Sequence, residues 1–304
     1  MADADYASMM GEMAADTAMA IAEAESAEAR IRLLETQLTR LDAVLRSVEV
    51  RLAGGTGRLA DRLTVQSRVA SMQLMIEQDR RMSEDALAEA HGRLGLRPET
   101  ALPGYAAPTA DDITIHDAAA LRVATARAEE ADAMAKMARA SGHAMTAVGL
   151  RLERERTPMG DEDTIGVAFM SEIPWRSRRY ARAEVRAAQA ERTAAEAEGS
   201  AARYRIASAV TRVQRAERLA ETARRLSAET LGRVNAEYES MIRSAGVASA
   251  GETAVLQTVE LLEKVTETEL QVIQADLAAR TARAELWRYL PISRFPNSFP
   301  DTTQ

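Results

Sequence analysis

Residues 31–57, IRLLETQLTRLDAVLRSVEVRLAGGTG, decide the fold of this chain. The apolar residues Ile31, Leu34, Leu38, Leu41, Leu45, Val48 and Leu52 alternate spacings of three and four. That interval keeps one narrow seam facing a partner helix through successive heptads. The run stops at Gly54-Gly55-Thr56-Gly57, where residues without a Cβ let the chain reverse. Helical spacing then resumes with Leu59, Leu63, Val65, Val69, Met72 and Ile76. The spacing therefore predicts a helical hairpin over 1–98, closing near Leu94-Gly95-Leu96-Arg97-Pro98.

Beyond it, Pro103, Gly104 and Pro108 mark 99–110 as a linker, and Asp111-Asp112 are placed to cap a new helix running to about Ala140. From His143 to Ile173 the pattern changes to period two. Val148, Leu150 and Leu152 alternate with small or charged residues, Ile165, Val167 and Phe169 do the same, and Thr157-Pro158-Met159-Gly160-Asp161 has the composition of a turn. A β-hairpin over 143–173 follows. Such a ribbon is marginal alone, so it joins strands from elsewhere, either in a transmembrane barrel or at a soluble sheet edge formed with a sister subunit.

A second helix starts near Trp175 and carries Val210, Val213, Leu219, Leu226, Val234, Tyr238 and Met241 up to a Gly-bearing turn at 244–251. At 1.5 Å per residue it spans on the order of 100 Å. A returning helix with Val255, Val259, Leu262, Ile273 and Leu277 stops at Leu290-Pro291, leaving a tail over 293–304. Long helix, Gly-bearing turn and returning helix thus occur twice, in 1–98 and in 111–292, which reads most economically as an internal duplication. The fold class expected is mainly α, with long antiparallel coiled-coil hairpins and one β-hairpin.

Composition agrees. Aromatic residues are 4% of 304 and charged residues 28%, a mixture suited to helices packed through narrow seams rather than to two compact cores. The net charge of -7, with both signs interspersed, argues against a nucleic-acid partner. Lysine occurs only at Lys136 and Lys264, a bias that carries no functional weight. The absence of Cys excludes disulfides, thiol catalysis and Cys-ligated zinc. No apolar run approaches the roughly 18 residues of a membrane-spanning helix, and 1–20 lacks the cationic start and apolar core of an export signal.

No catalytic constellation emerges. His91, His116 and His143 lack metal-ligand spacing and neighbouring nucleophiles, and each reads as a surface or turn residue. The glycines form no phosphate-binding pattern, so neither an enzyme nor a cofactor is expected. Met72/Met75 and Met134/Met137 could offer soft ligands to Cu(I) or Ag(I), but adaptable filling of helix seams is the better reading. Glu191, Arg192, Glu196, Glu217 and Arg218 read as solvated helix faces with local ion pairs.

Over nearly its whole length the chain resembles the TolC-like outer membrane efflux family. The most specific match is Thr164-Ile165-Gly166-Val167-Ala168-Phe169-Met170-Ser171-Glu172-Ile173-Pro174-Trp175, a strand with an apolar-Pro-apolar exit, followed by Arg176, Arg178, Arg179 and an Ala-rich helix. Arg51 to Asp61 resembles the family's periplasmic tip turn and Tyr238 to Glu252 its longer counterpart, whereas His116-Asp117 and His143 replace prolines common in the family.

The resemblance implies a homotrimer whose β-hairpins contribute to an outer-membrane β-barrel above a periplasmic helical tunnel. Val148, Leu150, Leu152, Ile165, Val167 and Phe169 would then face outer-membrane lipid. Gly54, Gly55, Thr56, Gly57, Gly246 and Val247 would lie at tips that meet a periplasmic adaptor, itself coupled to an inner-membrane pump of the resistance-nodulation-division type. The implied function is passive: the exit duct of a tripartite efflux system, without cofactors. A complete family member carries a signal peptide, an upper helix and another hairpin ahead of the first long helix. The chain is accordingly expected to be N-terminally truncated, with outer-membrane localisation depending on an upstream signal and three copies supplying half the family's strands. The alternative is a soluble coiled-coil scaffold or a non-functional fragment of such a channel.

Overall fold

The computed structural model describes residues 2–102, 107–113, 118–141, 146–157, 160–171, 177–245 and 253–290. It is mainly helical: α1 Ala2–Ala53, α2 Leu59–Leu94, α3 Ala119–Ser141, α4 Ser177–Ala245 and α5 Thr253–Glu285, with strands β1 Thr146–Thr157 and β2 Gly160–Ser171 between α3 and α4. Short 3-10 turns occupy Ala110–Asp112 and Leu286–Tyr289. The tail over 293–304 and the prolines Pro103, Pro158, Pro174 and Pro291 lie outside the described residues. Among the described residues, no helix is long and apolar enough to cross a membrane.

Contacts divide the chain into two units, Met1–Ala4 with Ala120–Tyr204, and Asp5–Ala119 with Arg205–Gln304. In the second, α1 buries Leu34, Leu41 and Val48 at successive heptad positions against Val65, Met72 and Ile76 of α2 and Val255, Val259 and Leu262 of α5. Each fully buried Leu or Val contributes about 1.5–3 kcal/mol. Further along, α5 turns to α4, setting Ala275 and Ala279 against Ala220, and Ala282 with Leu286 against Ala209 and Val213. Trp287 and Leu290 cover Ala14 and Ala15 of α1. Gly11 permits that closeness, because a Cβ there would lie 2.9 Å from the Trp287 carbonyl oxygen.

Ion pairs step along the antiparallel helices. Asp16 of α1 takes Arg93 of α2 at 2.9 Å, and Glu49 meets Arg62 at 3.7 Å near the turn. Between them Arg30 binds Asp79, which occupies a heptad seam position and is 8% exposed. On α4 and α5 the pairs are Arg212–Glu285 at 2.6 Å, Arg283–Glu217 at 2.5 Å and Arg224–Asp276 at 2.6 Å.

In the first unit, α3 packs Leu121, Ala124, Ala131 and Ala135 while α4 buries Ala188, Ala195 and Ala202. Arg127–Glu198 at 3.0 Å and Arg192–Asp132 at 2.9 Å fix their antiparallel register. The hydrogen bond from Lys136, with Arg192 adding to it, holds the Asp132 carboxyl below the usual carboxylate range. The strands pair antiparallel throughout, from Thr146↔Ser171 to Thr157↔Gly160. Pairing reaches Thr157 and Gly160, inside the five residues 157–161 that the sequence suggested as a turn.

Two other expectations change. The helix expected to start at Asp111-Asp112 begins at Ala119. Asp112 instead accepts hydrogen bonds from the Thr109 amide at 2.9 Å and the Thr109 hydroxyl at 2.7 Å, closing the 3-10 turn, and Ile113 leaves it in extended conformation. Leu59 and Leu63, read as seam residues, are 58% and 57% exposed. Leu59 lies one residue and Leu63 two residues from the Val65/Met72 repeat, about 100° and about 160° around the helix.

The Arg30–Asp79 pair yields a stability test. Asp79→Ala is expected to cost about 1–3 kcal/mol by stranding the guanidinium, while Arg30→Met with Asp79→Leu recovers most of that loss, since no charge is left unpaired. Chemical denaturation of both variants measures the difference.

Candidate functional site

The first tip is an exposed, glycine-bearing turn between α1 and α2. Helix α1 ends by a Schellman arrangement: the Thr56 amide donates to the Arg51 carbonyl at 2.9 Å and the Gly55 amide to Leu52 at 3.1 Å. Gly55 carries the motif in the left-handed region, φ +74°. The Gly57 amide also donates to the Arg51 carbonyl, at 2.9 Å, and the Thr56 hydroxyl donates to it at 3.3 Å. Three donors on one carbonyl draw the turn tightly over the end of α1, which satisfies an otherwise orphaned helix acceptor.

The three glycines play different parts. Gly55 is required by its backbone angle. Gly57 is required by space, since a Cβ would sit 2.7 Å from the Leu52 backbone nitrogen. A Cβ on Gly54 would make only ordinary contact, 3.6 Å from the Val50 carbonyl oxygen. Helix α2 then starts without a side-chain cap, and Asp61 in its first turn complements the helix dipole.

On the helices that flank this turn Val50, Leu59 and Leu63 are exposed, and Val50 was not singled out by the sequence pattern. Its signal was phase: all three sit off the seven-residue seam. Gly246 and Val247, and the whole turn 246–252, lie outside the described residues.

The strand register sets Val148 opposite Phe169, Leu150 opposite Val167 and Leu152 opposite Ile165. The pairs between them in the register include Gly149↔Ala168 and Arg151↔Gly166.

Elsewhere, a groove of about 430 Å³ runs along α1, α2 and α5, walled by Leu34, Leu41, Met72, Met75, Leu262 and Leu270. Its rim charges Arg68 and Glu263 bind each other. Met72 belongs to the core while Met75, Met134 and Met137 are exposed. Among the described residues, no three His, Asp or Glu side chains converge as metal ligands. His91 is buried, contrary to its reading as a surface residue, because both ring nitrogens meet backbone carbonyls. His116 and His143 lie outside the described residues.

The tip geometry separates its glycines experimentally. Gly55→Ala is expected to cost about 1–2 kcal/mol and Gly57→Ala at least as much, whereas Gly54→Ala stays within about 0.5 kcal/mol of the parent, all read from denaturation midpoints.

No protein-family model and no curated protein matches this chain. Solved structures do. A membrane protein from Pseudomonas aeruginosa aligns over 95% of this chain and 68% of its own, with a TM-score of 0.71 at 16% identity. The outer-membrane channel OprN aligns over 94% of this chain and 67% of its own, with a TM-score of 0.69 at 17% identity. The outer membrane protein VceC from Vibrio cholerae aligns over 93% and 72%, with a TM-score of 0.71 at 14% identity. With nearly the whole chain superposing, the protein has the fold of these membrane proteins, the outer-membrane channel OprN among them, which is the TolC-like fold that its sequence resembles.

Proposed function

We propose that this chain is a subunit of an outer-membrane exit duct, passive in itself, through which a tripartite export system discharges its cargo. The observation that carries the reading is the superposition of at least 93% of the chain on membrane proteins that include an outer-membrane channel and a further outer-membrane protein. On this reading the chain assembles as a homotrimer. The strands join a barrel with Val148, Leu150, Leu152, Ile165, Val167 and Phe169 toward lipid, and the helices form a periplasmic tunnel. Period-two alternation on a paired ribbon is the pattern such a barrel requires, and closing the barrel removes the ribbon's free edges.

The first tip, Gly54 to Gly57 with Val50, Leu59 and Leu63 on its flanking helices, is assigned to the periplasmic adaptor, as is the second tip around Gly246 and Val247. Exposed apolar residues beside a rigid turn supply a contact surface without ordering cost. The adaptor in turn couples the duct to an energised inner-membrane pump of the resistance-nodulation-division type. Such a duct needs no catalytic group and no cofactor.

Fractionation tests the assignment. Expressed behind an export signal, the chain is expected to sediment with outer membranes and to crosslink as a trimer; a soluble monomer would point to a coiled-coil scaffold instead. Leu150→Arg or Val167→Arg is expected to abolish membrane assembly, because a cation at the lipid midplane costs about 2–4 kcal/mol, while Arg151→Gln is tolerated. Leu63→Glu is expected to lower adaptor crosslinking several-fold with the denaturation midpoint unchanged.

A further inference from the structure

We propose that the outward face of α2 packs against the outward face of α4 in a second copy of this chain, with Leu74 of one copy seated at Gly232 of the next. This surface rests on the reading of the chain as a subunit of a closed oligomer, and it names the faces that close it. Two observations carry it: an exposed glycine that nothing in its own chain requires, and two rows of charge that complement one another at one height.

Helix α4 turns Val213, Ala220, Ser227 and Val234 inward at seven-residue intervals. Arg218, Arg225 and Gly232 repeat at the same interval on the opposite side of the helix, and all three are exposed. Gly232 lies inside α4 without a positive φ, and a Cβ built on it would meet nothing within 4 Å. Neither backbone angle nor space within the chain asks for glycine there, and glycine is among the poorest residues for a helix interior. Together with exposed Ala228 one turn back, it leaves a hollow that a knob from outside can enter. Helix α2 offers that knob. Its seam is Val65, Met72, Asp79 and Ala86, while on its far side Ser67, Ala70 and Leu74 are exposed and uncharged, Leu74 by 60%.

The heights agree. Ion pairs to α1 show that α2 and α5 both run antiparallel to it, and Arg68 of α2 binds Glu263 of α5. Arg224 of antiparallel α4 binds Asp276 of α5 at 2.6 Å. Counting along the helices from the Arg68 and Arg224 pairs sets Leu74 level with Leu231 and Gly232. Rotation about an axis along the helices preserves height, so copies arranged around such an axis bring Leu74 to Gly232. Because the two faces differ, the contact is head-to-tail, the kind that closes a ring.

The charges above this contact follow the same register. Moving away from the first tip, the outward face of α2 presents Glu77, Arg81 and Glu84, and that of α4 presents Arg225, Glu221 and Arg218. Negative, positive, negative thus meets positive, negative, positive. Each opposed pair is offset by about 4.5 Å along the axis, within reach of Arg and Glu side chains. Among the described residues Glu84, Arg218, Glu221 and Arg225 have no ion-pair partner, although Glu221 stands one turn from both arginines. Glu77 binds only within its own helix, Arg80 at 3.1 Å and Arg81 at 3.7 Å. A row of complementary charge fixes which faces meet and at what height.

The chain has no Cys, so a disulfide reports the contact directly. The full-length chain carrying Leu74→Cys with Gly232→Cys, expressed behind an export signal, is expected to yield covalent dimers and trimers on mild oxidation, and each single variant only monomers. In that background Glu84→Arg is expected to lower the disulfide yield several-fold, and adding Arg218→Glu to restore it, with helical content by circular dichroism unchanged. Sedimentation of the parent chain separates the outcomes. An oligomer whose double variant forms no disulfide would overturn this surface and leave the duct reading standing. A covalent dimer from Leu74→Cys alone would overturn it in favour of a two-fold contact through α2. A monomeric parent chain would overturn both.

Discussion

Each long helix of this protein has a buried stripe that returns every seven residues, and the narrowness of that stripe sets the terms for the rest of the structure. With aromatic residues at 4%, no layer of large side chains is available to build a globular core. Burial must be collected along length, which is why α4 runs to 69 residues and α1 to 52. A seam also demands that the chain reverse sharply at each helix end, since a loose loop would leave the last heptads unpaired. The Schellman turns at Gly55 and Gly95 meet that demand by consuming the free carbonyls of α1 and α2.

The seams were legible in the sequence because a three-and-four alternation has few other interpretations, and the run from Leu34 to Val48 carries it without a polar interruption. The turn at Gly54–Gly57 was legible for the same reason: the alternation stops where side chains vanish. What escaped was whatever depends on phase or on a distant partner. Leu59 and Leu63 are as apolar as Val65, and one or two residues of phase decide that they face out. Asp112 looked like a helix cap, but its geometry serves a 3-10 turn just as well, and Ile113 is then held at the edges of two apolar clusters. Asp79 reads as one more solvated charge until Arg30, in another helix, is placed beside it. His91 reads as isolated because the groups that bury it are backbone carbonyls, which no side-chain spacing reveals.

The two seams on α5 are built from different materials. Toward α1 and α2 it presents Val255, Val259 and Leu262, whose branched side chains interlock with leucines. Toward α4 it presents Ala275, Ala279 and Ala282, single methyl groups that let the backbones approach but interlock only shallowly. A heptad slip would cost the first seam several large contacts. On the alanine seam the contacts at stake are mostly single methyl groups, so a slip forfeits less apolar contact there.

Register on that second seam must therefore be specified by something other than knobs, and the flanking charges supply it. Arg212–Glu285, Arg283–Glu217 and Arg224–Asp276 run along the antiparallel pair with the cation on α4, then on α5, then on α4 again. Each exposed pair is worth little alone. Their alternating polarity nevertheless means that a slip forfeits all three bonds together, and side chains shifted by one heptad meet different partners. The alanine seam is thus kept in place by its rim rather than by its core, and the leucine seam by its core rather than by its rim. The same rule orders α3 against α4, where alanines again line the contact and Arg127–Glu198 and Arg192–Asp132 fix its position.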